Sequence, residues 1–122
     1  MIEYLLRTET AASLRVIRDP GVDLHVPALC DVEVVAAIRR ALLRGLIDLS
    51  RATEALDDYL DLPLGRHDHQ VLLPRILELR ANFGAYDACY IALAERVGAE
   101  LLTADRGLAR ATSEHTNLTV LP

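Results

Sequence analysis

Apolar and polar positions along the chain follow a helical period in some stretches and a strand period in others. Ile2, Leu5 and Leu6 fall at i, i+3 and i+4, so the chain is predicted to open in a helix. Ala11, Leu14 and Ile17 continue that spacing to a turn at Asp19-Pro20-Gly21. Val22 to Pro27 alternates instead, as a short strand does. An apolar helix is predicted over 28–44, stopped by Gly45, and another from a Ser50 cap to about Leu60. Leu62-Pro63-Leu64 reads as extended. A helix follows from about Asp68 to Ala81, with Pro74 tolerable only near its first turn.

The last third has the clearest pattern. Tyr86, Cys89, Tyr90, Leu93 and Val97 mark a helix that ends at Gly98. Ala99 to Thr103 has the character of a buried parallel strand, Asp105 starts another short helix, and Leu118 to Leu121 is a final strand. Strands alternating with helices predict an α/β domain whose parallel sheet is covered on both faces. Such a sheet normally begins with a strand. This chain is predicted to begin with a helix, so the first strand is expected to be missing.

Composition narrows the class. A chain of 122 residues, 52% apolar, builds one core more readily than two. Cys30 and Cys89, both in alanine-rich helical contexts, make at most one bridge and read as small buried residues, which excludes a disulfide scaffold. No apolar run approaches the ~20 residues that span a bilayer, and no signal peptide opens the chain, so a cytoplasmic location is expected. All 13 basic residues are Arg against 18 carboxylates, a net charge of −5. Wrapping nucleic acid by bulk charge is disfavoured, while local contacts by a few Arg side chains stay open.

Three carboxylates stand where a carboxylate is costly or well placed. Glu33 sits among Leu29, Val32, Val34, Val35, Ala36, Ala37 and Ile38, and burying it alone costs several kcal/mol, roughly, without a partner or a metal. Pairing with Arg40, or exposure at a helix rim, is the plain alternative. Asp87 opens its helix, where the helix dipole alone favours it. Asp105 follows Leu101-Leu102-Thr103, as a helix cap or at the strand end where α/β proteins place their sites. On an α/β sheet all three can face one rim, where mutual repulsion calls for a hard divalent cation such as Mg²⁺. With no Ser-His-Asp set and no Gly-rich phosphate loop, that arrangement points to phosphodiester hydrolysis.

Val26-Pro27-Ala28 through Val32-Glu33-Val34-Val35-Ala36-Ala37-Ile38-Arg39-Arg40 resembles the second motif of PIN-domain nucleases. Tyr86-Asp87-Ala88-Cys89-Tyr90-Ile91-Ala92-Leu93-Ala94 resembles the third, and Leu101-Leu102-Thr103-Ala104-Asp105 the fourth. Spacing and length are similar to the VapC toxins of VapBC toxin–antitoxin pairs. The resemblance implies a single three-layer α/β/α domain over 1–122 and a Mg²⁺- or Mn²⁺-dependent endoribonuclease that cuts tRNA, rRNA or mRNA to inhibit translation. It also implies a VapB-like antitoxin and a homodimer. Glu33, Asp87 and Asp105 become metal ligands or water activators. Thr103 becomes a possible support for Asp105 or a ligand water, beside its plain reading as a strand residue.

One departure stands out. The family's first motif is an Asp at the end of the first strand, and here nothing precedes Met1. Glu3, expected inside a helix, is no substitute. The chain is therefore expected to lack about ten residues, one strand and its turn, to bind metal weakly and to be a poor nuclease. An antitoxin-binding module without activity, or a housekeeping RNA-processing nuclease, are the alternatives. Arg66-His67-Asp68-His69 is read as a turn with Asp68 as a cap rather than as a metal site. Arg39, Arg40, Arg44, Arg80, Arg106 and Arg110 are read as phosphate contacts or as a solvated charged face.

Overall fold

A computed structural model of the chain describes residues 2–6, 21–103 and 105–121. The helical turns expected at Ala11, Leu14 and Ile17 and the Asp19-Pro20 turn lie outside the described residues. The elements are β1 (Ile2–Leu6), β2 (Val22–Pro27), α1 (Leu29–Leu43), α2 (Leu49–Leu60), β3 (Leu64–His67), α3 (Leu73–Glu78), α4 (Ala85–Val97), β4 (Glu100–Leu102), α5 (Arg106–His115) and β5 (Val120–Leu121). Single 3₁₀ turns at Gln70–Leu72 and Leu79–Ala81 flank α3. All strands pair in parallel, in the order β3-β2-β1-β4-β5. The expected α/β fold with a parallel sheet is what forms.

The opening of the chain corrects the sequence reading. Ile2–Leu6 is a strand, not a helix, and it occupies the centre of the sheet. A central parallel strand is covered on both faces and reads as a near-continuous apolar run, which a short helix can mimic. Pairing demand decides between the two. β2 and β4 each present an edge that β1 satisfies, from Ile2 opposite Val22 to Leu6 opposite Leu102. The strand expected to be missing is present in this position. It carries Glu3, in register with Asp23, and no Asp.

The chain divides into two compact units, Met1–Pro27 with Leu64–Pro122, and Ala28–Pro63. The first holds the whole sheet with α3, α4 and α5. Its centre is α4, which packs against β1, β2 and β4 and also against α3. Seven consecutive residues of α4, Ala88 to Ala94, are buried, the signature of a helix covered all round. Tyr90, Ile91 and Leu93 each contribute roughly 1.5–3 kcal/mol by leaving water. Leu24 and Val26 of β2 and Leu101 and Leu102 of β4 complete the core. Gly98, at φ +68°, ends α4 in the left-handed conformation that glycine adopts without strain.

The second unit is the helical hairpin α1–α2, whose helices pack on each other. The predicted stop at Gly45 is a Schellman motif: with Gly45 at φ +71°, its N–H donates to Leu42 O and that of Leu46 to Ala41 O. The cap of α2 is Asp48, not Ser50. Asp48 Oδ1 accepts from the Arg51 N–H at 2.8 Å, and Ser50 falls inside the first turn. Tyr59, buried near the end of α2, donates its hydroxyl to Asp31 Oδ1 in the first turn of α1 at 2.7 Å. Burial and this bond, with the neighbouring Cys30 thiol, hold the Tyr59 hydroxyl well above the usual phenol range. No helix among the described residues is long and apolar enough to cross a membrane.

Candidate active site

Each of the three acidic positions is set by a different local device. Glu33 is half-buried on the second turn of α1, in the helical hairpin. Arg40 makes no ion pair with any described residue, so the pairing considered for Glu33 does not form. Asp87 lies in the first turn of α4, half-buried, after a Gly84 cap that supplies no side-chain bond. There the helix N-terminus favours a negative charge. Asp105 follows β4 and caps α5, its Oδ1 accepting from the Leu108 N–H at 3.0 Å.

Thr103 is buried and bonds locally. Its hydroxyl accepts from the Asp105 N–H at 3.1 Å, fixing the backbone from which that carboxylate projects. Gly107 lies over the same carboxylate: a Cβ there would stand 3.3 Å from Asp105 Oδ1. Asp105 is exposed, and among the described residues Oδ2 accepts no hydrogen bond. One oxygen holds the helix.

Asp87 and Asp105 belong to the sheet unit, Glu33 to the hairpin. Within neither unit do three described His, Cys, Asp or Glu side chains gather as a metal-holding group, so neither unit alone forms an all-protein cage of the zinc type. The donors are all carboxylate oxygens, and Asp105 offers a single one. That suits a hard ion such as Mg²⁺, which keeps several waters and takes one or two carboxylates from the protein.

Beside the Arg75–Glu95 ion pair, two further pairings were not foreseen from sequence. Tyr59–Asp31 is one. The other joins β2 to β3: His25 Nδ1 lies 2.9 Å from His67 Nε2, with ring centroids 5.1 Å apart. Gly65, opposite His25 in register, makes room, since a Cβ there would stand 3.2 Å from His25 Nδ1. Burial first, and the adjacent imidazole second, push the His67 pKa down. The turn expected at Arg66-His67-Asp68-His69 is thereby corrected. Arg66 and His67 end a strand, drawn there by pairing with Val26 and Pro27, and among the described residues Asp68 Oδ1 accepts only from the adjacent His69 N–H. Glycine facing histidine across a strand pair was the available signal, but 42 residues separate the two rings.

Residues 1–114 match the PIN domain family. A VapC ribonuclease of Mycobacterium bovis, Mb0985, is 38% identical over 99 residues, covering 81% of this chain and 78% of that protein. Ribonuclease VapC12 of Mycobacterium tuberculosis is 36% identical over 110 residues, 89% and 84% of the two chains. Among solved structures, PAE2754 from Pyrobaculum aerophilum superposes with a TM-score of 0.71 at 23% identity, covering 98% and 83%. VapBC2 from Rickettsia felis, bound to a DNA fragment of its promoter, gives 0.67 at 15% identity, covering 98% of each chain. These last two speak for the fold alone. Matched by the family model over residues 1–114 and by VapC ribonucleases at 36–38% identity over most of their length, the chain belongs to the PIN-domain family, in its VapC branch.

Proposed function

We propose that the chain is the endoribonuclease toxin of a type II toxin–antitoxin pair, acting in the cytoplasm on RNA of the translation machinery. The observation that carries the reading is the match to proteins named VapC ribonucleases over four-fifths of this chain or more. In this reading Glu33, Asp87 and Asp105 are metal ligands or water activators, and a VapB-like antitoxin blocks their chemistry. The protein works as a homodimer. Mg²⁺ or Mn²⁺, when bound, supplies charge to the scissile phosphate and acidifies a water. The chain's own part is positional. Asp87 is presented from the first turn of a fully packed helix, and Asp105 is held by its cap and by Thr103. Glu33 is presented from α1.

Purified protein incubated with total RNA and Mn²⁺ tests this directly. Slow cleavage is expected, since β1 carries no Asp, and chelator should abolish it. Glu33→Gln or Asp87→Asn should slow it further by on the order of 10²–10⁴, the usual worth of a carboxylate that handles protons at the reacting centre. Variants that cut as fast as the parent would remove carboxylate chemistry from the mechanism.

A further inference from the structure

The arginines of the described surface are not all alike. Arg51 pairs with Glu54 at 3.2 Å, Arg75 with Glu78 and Glu95, and Arg80 donates to the Leu77 carbonyl. The side chains of Arg39, Arg40 and Arg44, like those of Arg96, Arg106 and Arg110, make no ion pair or hydrogen bond with any described residue, although acids outnumber bases in the chain. Arg39, Arg40 and Arg44 are exposed and grouped on one element: Arg39 and Arg40 lie on the C-terminal half of the helix that bears Glu33, and Arg44 is its C-cap.

Helical geometry separates them. Arg40 and Arg44 follow Glu33 by seven and eleven residues, which places both within about 20° of it around the axis and roughly 10 and 16 Å further along. Arg39 lies about 120° away from Glu33. Between Glu33 and Arg40 on the shared face is Ala37, exposed and too small to obstruct it. One face of α1 thus carries a carboxylate, an open step, and two guanidiniums one turn apart. Planar guanidiniums match phosphate oxygens in a bidentate manner. A polyanion is the ligand this spacing complements.

We propose that Arg40 and Arg44 form a track for the phosphodiester backbone of single-stranded RNA, holding nucleotides to one side of the bond cut at Glu33. The inference rests on the ribonuclease reading and adds which residues engage the substrate away from the cut. Neutralising phosphates releases counterions, so each contact adds about 0.7 to the slope of log binding constant against log salt for a single strand.

The test measures binding of a single-stranded RNA oligonucleotide by fluorescence anisotropy across a salt series, with the Asp87→Asn chain as the non-cutting parent. Arg40→Gln and Arg44→Gln should each make the slope shallower by about 0.7, and the Arg→Lys versions should keep it. Arg39→Gln, an equal charge change on another face, should leave the slope near the parent's. Thermal melts of each variant monitor the role of Arg40 at the helix C-terminus, where a cation is favourable anyway. A lower melting temperature with an unchanged slope would mean a purely structural role and would overturn the track. Equal effects at all three arginines would overturn it too, as diffuse attraction. Cleavage by the wild-type chain together with unchanged slopes sinks the track and leaves the ribonuclease reading standing. Absence of cleavage and of any RNA binding brings down both.

Discussion

Helices α1 and α4 both present an acidic residue near their start, yet they are built in opposite ways. In α4 seven residues in a row are buried, and the helix is wedged between strands and α3. In α1 only Cys30 is buried, while Val32 and Val35 are 67% and 49% exposed. Asp87 therefore rides on the most heavily packed element of the sheet unit. Glu33 rides on a hairpin whose buried residues are Cys30, Ala52 and Tyr59, with the Tyr59–Asp31 bond and a short Schellman turn linking its helices. The two carboxylates share a role in the proposed chemistry, but stability reaches them by different routes, burial for Asp87 and a polar clip for Glu33.

The largest effect that separates the two helices is the cost of truncation. Ile91→Ala in α4 should destabilise by about 2–5 kcal/mol, the range for a fully buried aliphatic side chain. Val35→Ala in α1 should stay within about 0.5 kcal/mol, as exposed positions do. Urea midpoints of the two variants read this contrast, and similar losses at both positions would erase it.

A smaller effect sharpens the hairpin's side of the contrast. Tyr59→Phe keeps the ring and removes the 2.7 Å bond to Asp31, a loss of about 1.5–3 kcal/mol for a bond to a charged acceptor. Hydrogen exchange should quicken in α1 and α2 before it changes in α4. Uniform quickening in all three helices would show that Tyr59 is no local clip.

The smallest concerns the sheet unit. His67 takes up its proton at lower pH in the folded chain than its ordinary 6.5. Between those two values the unfolded chain binds more protons, so stability should fall as pH drops below about 6.5 and be full above it. Denaturant midpoints at pH 7.5 and 5.5 should differ less in His67→Gln than in the parent. An identical difference would remove His67 from the pH response.

Much of this was legible in the chain. The helix around Tyr86 to Val97, the stops at Gly45 and Gly98, and strand β2 follow from periodicity and glycine alone, because their patterns are long or punctuated. Ile2–Leu6 was not legible, since five residues at mixed spacing fit either period and the choice is made by two neighbouring edges in need of a partner. The Asp48 cap lost to Ser50 by two residues, within the ordinary ambiguity of a helix start. Among the site positions, Glu33 was visible as a charge in an apolar stretch and Asp105 as an acid after a strand. The Tyr59–Asp31 and His25–His67 contacts were invisible, because nothing local to either residue encodes a partner tens of positions away.

The place of β1 has a consequence for synthesis. Its inner edge waits for β4, with Tyr4 opposite Glu100, so the sheet cannot close until most of the chain has left the ribosome. Asp105 emerges only just after that strand. In the reading proposed here, a toxin made in the cell it harms stays inert as a nascent chain until its last fifth is translated. With β2 available early, only the edge of β1 that faces β4 stays open that long, to whatever else can pair with it.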